Sequence, residues 1–231
     1  MLARMVLTAA SALTELEHEI AAPGAGLDRL QLVETPFVPE VRLHLAEDAI
    51  VFWARMEAAA GRPLPAPYWA SAWAGGQALA RHLLDHPELA RGRTVLDLGT
   101  GSGLVAIAAA LAGARRVVAN DIDPYAGAAV VVNARANRVT VAPDIGDLLD
   151  ADVDADLLLA GDALYSGAMA ARVLPFLRRA AAGGTQVLVG DPGRGHLTAP
   201  GWETVTSYPV PTTEPTVDLA PRRVRVLRPL P

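Results

Sequence analysis

From residue 68 onward, short apolar runs alternate with stretches whose apolar residues recur every three or four positions. The runs Thr94–Leu98, Arg116–Asn120, Val139–Ala142, Asp156–Ala160 and Thr185–Val189 predict strands buried on both faces. Between them, Gly76–Leu84, Leu104–Leu111 and Tyr125–Ala136 predict helices. A fourth helix contains Pro175, runs to Ala182 and stops at Gly183-Gly184. Trp202–Tyr208 and Arg223–Leu227 read as two last strands joined by a proline-rich turn. Such alternation predicts an α/β fold: a seven-stranded, mostly parallel sheet with helices on both faces and a C-terminal antiparallel hairpin.

The first third of the chain is less regular. Residues 2–20 have helical spacing, and the link Ala21-Ala22-Pro23-Gly24 follows. Val38–Leu45 alternates apolar and polar residues, as a half-buried strand does. Asp48–Ala60 reads as a helix stopped by Gly61, and Arg62–Pro67 as an extended connector. The expected organisation is therefore an extension over residues 1–66, one helix and one strand among its elements, packed on a main domain over residues 67–231.

Composition narrows the class. A chain of 231 residues with 52% hydrophobic residues can bury a sizeable core. The longest apolar run, Leu104–Ala112, is too short to span a bilayer, so a soluble protein is expected. Met1–Leu7 resembles the start of a leader, but Thr8 breaks the run and Glu15, Glu17 and Glu19 follow, which favours a surface helix. There is no cysteine, hence no disulfide, thiolate nucleophile or cysteine metal site; a cytoplasmic location is expected. All 20 basic residues are arginine and the net charge is −5, which argues against a general nucleic-acid binder. Arg222, Arg223, Arg225 and Arg228 form one basic cluster, read either as a strand with solvated arginines or as a docking surface for an acidic partner. The five histidines are scattered, and no metal site is read from them. With no long apolar repeat to mark a partner surface, a monomer is expected.

The chemistry concentrates where strands end. After Thr94–Leu98 comes Gly99-Thr100-Gly101-Ser102-Gly103; about 20 residues on, the next strand ends in Asn120-Asp121-Ile122-Asp123. A glycine turn here lets the backbone approach a ligand, and a carboxylate closing the next strand can accept both hydroxyls of a ribose. Dinucleotide sites space their glycines Gly-x-Gly-x-x-Gly. Here Leu104 stands where the third glycine is needed, and the Gly99, Gly101, Gly103 spacing resembles the loop of Rossmann-like methyltransferases that use S-adenosyl-L-methionine (SAM). On that resemblance the Gly99–Gly103 backbone faces the methionine part of SAM. Asp97 meets its ammonium directly or through water, and Asp121, with its neighbour Ile122, holds the ribose. Asp123 is more suited to capping the following helix. Asp144 or the Ile145 backbone is placed at the adenine amino group, although Asp147 and Asp150 crowd that loop and Asp144 reads as well as a solvated carboxylate.

A second strand tip bears on the acceptor. Gly161-Asp162-Ala163-Leu164-Tyr165 follows the fourth main strand. Methyltransferases acting on planar nitrogens carry Asn-Pro-Pro-Tyr at this tip, whereas the lysine-directed family 16 of seven-β-strand methyltransferases carries Asp-x-x-Tyr, which Asp162 and Tyr165 match. A carboxylate suits an acceptor that arrives as an ammonium. Further blocks, Pro67–Leu79, Asn120–Pro124, Gly190–Arg194 and Val38–Leu43, are similar to the electron-transfer flavoprotein β-subunit lysine methyltransferases, over roughly Pro36–Leu197. The resemblance implies Asp162 and Tyr165 as catalytic residues, Trp73 and Gly75 bordering the SAM pocket, and Gly190–Arg194 near the substrate entrance. Plainer readings stand beside these: Trp73 as core, Asp191-Pro192-Gly193 as an ordinary turn, Arg194 as a surface ion pair. The expected activity is SAM-dependent N-methylation of a protein lysine, with the flavoprotein β-subunit as the implied partner. A small-molecule amine methyltransferase and a non-catalytic SAM-binding module remain alternatives; a nicotinamide-dependent oxidoreductase conflicts with Leu104.

Overall fold

The structure, a computed structural model, describes residues 8–22, 26–197, 200–211 and 221–230. Residues 2–7 of the predicted first helix, Pro23 and Gly24 of the link, and most of the final turn (212–220) lie outside the described residues. Six helices are described: α1 (Ala9–Ala21), α2 (Ala49–Ala60), α3 (Ala74–Asp85), α4 (Leu104–Leu111), α5 (Pro124–Ala136) and α6 (Gly167–Ala182). The strands are β1 (Leu30–Thr35), β2 (Val38–Ala46), β3 (Thr94–Leu98), β4 (Arg116–Asp121), β5 (Ala142–Ile145), β6 (Leu157–Gly161), β7 (Gln186–Asp191), β8 (Trp202–Val210) and β9 (Arg222–Pro229).

Strands β3 to β9 form the predicted seven-stranded sheet, in the order β5-β4-β3-β6-β7-β9-β8. Strands β3 through β7 run parallel, and β9 and β8 add an antiparallel edge. The chain winds outward from β3 in one direction and resumes at β6 in the other. This switch point opens a crevice beyond the carboxyl ends of β3 and β6. Because strand side chains alternate between faces, Val95, Leu157, Leu159 and Leu188 pack with α3, α4 and α5. Leu96, Leu158, Val187 and Val189 pack with α6. The short α4 is buried from Leu104 to Ala109, as its unbroken apolar sequence requires.

Helix ends are set by local chemistry. The Asp48 side chain accepts from the backbone N–H of Ile50 and Val51 at the start of α2, and Gly61 ends that helix in the left-handed region at φ 63°. Asp123 accepts from the Tyr125 N–H at the start of α5, the capping role expected of it.

Two features differ from the sequence expectations. β5 begins three residues later than the predicted Val139–Ala142, because Arg138 turns into the left-handed region (φ 57°) and the Val139 N–H still bonds to the Ala134 carbonyl at the end of α5. The strand then contains Pro143, which is tolerated at an edge where one ladder bond is missing. The other difference is β1, for which no strand was expected. It pairs antiparallel with β2 and covers residues whose alternation is broken at Leu32-Val33.

The N-terminal elements pack on the helix layer of the main sheet. α1 lies against α5, with Glu15 accepting from the Tyr125 hydroxyl, and Trp69 stacks on Tyr125 with centroids 5.7 Å apart. Asn133, fully buried on α5, accepts from the His44 N–H of β2 at 2.8 Å and donates to the Ser102 carbonyl at 2.8 Å. Among the described residues, no helix is long and apolar enough to cross a membrane.

Candidate active site

The crevice at the switch point is a cleft of about 510 Å³, within the range of small-molecule sites. Leu98, Gly99 and Gly101 form one wall and Asn120, Asp121 and Ile122 another. Gly161, Asp162 and Ala163 close the floor, and Tyr68, Trp73, Tyr165 and Arg194 stand toward the mouth. The N-terminal connector contributes Pro65 and Ala66.

The glycine turn is built as its spacing implies. Gly99, Gly101 and Gly103 all have positive φ (66°, 53° and 84°), a conformation that side-chain-bearing residues avoid. The Thr100 N–H bonds to the Asn120 carbonyl at 3.0 Å, tying the turn to β4. Gly99 and Gly101 line the cleft, whereas Gly103 is buried against Val130 of α5 and does not. Asp121 does line it: its Oδ2 accepts from the Gly101 N–H at 3.0 Å and its Oδ1 from the Asp123 N–H at 3.1 Å. The carboxylate therefore spans the two walls. Ile122 lies beside it, largely exposed.

Asp97 lies behind the wall of the cleft. It is buried and absent from the cleft lining. Its Oδ2 accepts from the Thr100 hydroxyl at 2.6 Å and from the Ala106 N–H at 3.1 Å, which pins the glycine turn to the start of α4. Burial pushes its carboxyl up to about 7, with the Asp121 charge adding to the shift, against the lowering effect of those two hydrogen bonds. Asp144 and Ile145 are likewise off the lining. The Asn120 side-chain amide donates to the Asp144 carbonyl and to Gly146 (3.0 Å each), and the wall after β5 is made by Gly146, Asp147, Leu148 and Leu149. Sequence reasoning missed this stretch because its β5 ended three residues too early.

Gly75 also falls outside the lining. It sits in the first turn of α3, backbone against backbone with β7: a Cβ there would lie 2.7 Å from the Asp162 nitrogen and overlap the Gly190 carbonyl. The Gly75 N–H donates to Asp162 Oδ2. Gly161 meets Gly76 in the same way, an added Cβ lying 2.8 Å from its Cα. Two glycines in tandem at a helix start, with single glycines at two strand ends, are the sequence signal for this approach.

Asp162 itself has φ 58°, one of two non-glycine residues among those described with positive φ. Strain of this kind collects at functional sites. Its side chain is 7% exposed. Oδ2 faces the amino end of α3, where helix N–H groups favour negative charge, and Oδ1 accepts from Arg194 Nε at 3.0 Å. The Arg194 guanidinium lies over the Trp73 ring, 5.7 Å from its centroid, so Arg194 makes an ion pair, but one at the cleft rather than on an outer surface. Trp73 is half-buried at the mouth rather than in the core, and its Nε1 donates to the Tyr68 carbonyl at 2.8 Å. Tyr165, half-exposed, stacks on Tyr68 with centroids 6.2 Å apart. Burial raises the Tyr165 pKa, helped by Tyr68 and Asp121, so the phenol stays protonated at neutral pH.

Elsewhere, the C-terminal arginines are partly consumed internally: Arg225 pairs with the buried Asp191, and Arg228 with Glu203 at 2.8 Å. His82 on α3 and His86 at its C-cap have ring centroids 4.8 Å apart, a His-x-x-x-His spacing that the reading of scattered histidines overlooks. His82 Nδ1 lies 3.2 Å from the Tyr208 hydroxyl. Among the described residues no group of three or more His, Asp or Glu is gathered as metal ligands would be.

Comparison with known proteins gives this geometry a context. The family model "Ribosomal protein L11 methyltransferase (PrmA)" matches residues 78–161, from α3 to the end of β6, and stops just before Asp162. Three curated proteins named electron transfer flavoprotein beta subunit lysine methyltransferase are similar over more of the chain. The protein of Danio rerio is 45% identical over 73% of this chain and 66% of its own length. That of Homo sapiens is 45% identical over 68% and 60%, and that of Xenopus laevis 40% identical over 75% and 71%. The match thus spans slightly less than two thirds of the first two relatives. The chain belongs to the electron transfer flavoprotein beta subunit lysine methyltransferase family.

Proposed function

We propose that the protein is a SAM-dependent protein-lysine N-methyltransferase whose acceptor is the electron-transfer flavoprotein β-subunit. The observation that carries the proposal is that Asp121, at the end of β4, and Asp162, just past the end of β6, open into one cleft. In this reading one carboxylate would take a ribose and the other a cation.

The residues present fit SAM. The cleft has the volume of a small-molecule site, and its glycine wall presents backbone that a Cβ would obstruct. Asp121 would hold the ribose hydroxyls while keeping its two backbone donors, since each oxygen has a second lone pair. Gly146–Leu149 would border the adenine, and Gly99 and Gly101 the methionine part. When bound, SAM supplies an activated methyl group on a sulfonium, so the protein's task is mainly alignment. Asp162 would receive the lysine ammonium, the aromatic walls of Tyr68, Trp73 and Tyr165 would guide its alkyl chain and cation, and the amine would release its proton to water before attack. The names of the relatives support a protein acceptor, and so does a mouth open enough to leave Tyr68 60% and Tyr165 51% exposed.

A small-molecule amine is the second reading, favoured by the fact that Asp162 would hold any ammonium. Incubation with labelled SAM and a cell lysate separates the two: label in a protein band supports the first, label in a small molecule the second. Calorimetry with SAM and with a nicotinamide dinucleotide tests the cofactor, and failure to bind SAM removes both readings. The proposal extends to a catalytic domain over residues 67–231 carrying residues 1–66 as an extension. It also extends to a monomeric, cytoplasmic protein without nucleic-acid or membrane partners; light scattering and cell fractionation test these points.

A further inference from the structure

We propose that Arg194 is a built-in stand-in for the acceptor: its guanidinium occupies the place on Asp162 and Trp73 that the substrate ammonium takes, and the substrate exchanges with it cation for cation. The inference rests on the reading of Asp162 as the acceptor-holding carboxylate.

Three observations carry it. The Asp162 carboxylate is almost fully buried, and its donors include the Gly75 N–H on Oδ2 and Arg194 Nε on Oδ1. The Gly75 donor is a backbone group clamped between α3 and β7 and has no room to withdraw. Arg194 is held differently. It lies in a segment without regular structure, between Gly193 (φ 81°) and Gly195 (φ 83°), and its side chain is 25% exposed. The residue before this segment is fixed: Asp191 Oδ1 accepts from the Gly193 N–H at 3.0 Å while its Oδ2 pairs with Arg225. Backbone glycines on both sides of Arg194 let its side chain swing away while the anchor stays put.

The chemistry explains why such a stand-in is useful. A buried carboxylate left without a counter-charge is costly, and exchange of one cation for another never leaves Asp162 uncompensated. The guanidinium also rests on the Trp73 face, a surface that attracts any cation. Arginine suits the post better than lysine. An amine at this position would itself be an acceptor in front of the methyl donor, and the chain contains no lysine at all.

That last point supplies the test. The variant Arg194→Lys introduces the sole lysine side chain of the protein, with its amine at the distance from the backbone where the guanidinium carbon now lies. Incubated with SAM, this variant is expected to methylate the introduced lysine. The sulfonium S–CH3 bond breaks, an N–CH3 bond forms, the sulfur leaves as the neutral thioether and the amine proton passes to water. Intact-mass and peptide measurements read one methyl mass increment or more at position 194. Arg115→Lys, on an exposed residue outside the cleft lining, is expected to show none, and Arg194→Lys combined with Asp162→Asn none either. An unmodified lysine in the folded, SAM-binding Arg194→Lys protein overturns the proposal.

A second measurement uses the unaltered protein. With S-adenosylhomocysteine bound, titration with n-butylammonium is expected to shift the Arg194 Nε–Hε resonance, and matched sodium chloride is not. A resonance that stays fixed at the highest amine concentration also counts against the exchange. In Arg194→Gln, butylammonium is expected to bind roughly tenfold tighter, about the worth of one charge-assisted hydrogen bond. If the unaltered protein binds SAM and labels an acceptor while these tests fail, the stand-in role alone is wrong. If SAM does not bind, the functional reading fails with it.

Discussion

Gly75 and Gly190 meet backbone to backbone where the start of α3 crosses the end of β7, so closely that a methyl group on either would overlap the other's main chain. The contact brings the Gly75 N–H within reach of Asp162. Gly190→Ala is therefore expected to force α3 away from β7, at a cost of about 1–3 kcal/mol or more. Thermal unfolding reads this as a midpoint lowered by roughly 2–4 °C per kcal/mol. Acceptor methylation should fall further than SAM affinity, because the displaced N–H belongs to the Asp162 side of the cleft. An unchanged midpoint would show that the crossing relaxes freely.

Asp162→Asn is expected to reduce methyl transfer by about 10²-fold or more, the scale of losing one partner of a buried ion pair. SAM affinity should change little, since Asp162 is proposed to face the acceptor. Calorimetry and label transfer on the same preparation separate the two effects, and full transfer activity would remove the proposed role.

Asp121→Ala acts on the other side. It removes the proposed ribose acceptor together with the hydrogen-bond acceptor of the Gly101 and Asp123 N–H groups, so the glycine wall loosens as well. SAM affinity is expected to fall about 10- to 100-fold. Asp121→Asn, which keeps an acceptor oxygen, should lose less. Equal losses in both variants would point to charge rather than geometry.

Asp97 makes stability depend on pH. Its folded carboxyl is pushed up to about 7 from an ordinary value of 3.8. Between those values the folded protein holds a proton that the unfolded chain has released, so this group's contribution is complete below about pH 4 and is lost as pH rises through 7. Burial lowers His44 and His82, which acts in the opposite sense around their own range. Comparing unfolding midpoints of the natural protein and Asp97→Asn between pH 4 and 8 isolates the carboxyl. The natural protein should lose stability relative to the variant as pH rises, by an amount on the order of a few kcal/mol. Parallel profiles would contradict the shift.

Asn133→Leu tests the link between the N-terminal hairpin and the cofactor wall. It strands the His44 N–H and the Ser102 carbonyl, both satisfied by the Asn133 amide. The expected destabilisation is about 2–4 kcal/mol, read in a denaturant titration. SAM affinity should weaken too, because Ser102 lies in the glycine turn.

The pattern of apolar residues by itself determined the α/β class and the seven main strands, and local residue chemistry the stop of α2 at Gly61 and the cap of α5 at Asp123, since these depend on periodicity and local hydrogen bonding. The glycine turn and the tips at Asp121 and Asp162 were legible for the same reason: chemistry at strand ends follows from where strands stop. What lay beyond reach came from contacts between segments distant in the chain. Burial and close backbone packing place Asp97 and Gly75 behind the cleft wall, one pinning the turn to α4 and the other clamping Asp162. β5 started later because the end of α5 continued through Val139, which carried the lining from Asp144–Ile145 to Gly146–Leu149. The pairing of Arg194 with Asp162 spans 32 residues of sequence, and no local pattern encodes it. Only the crossing of α3 over β6 and β7 brings that cation, the carboxylate and Trp73 together.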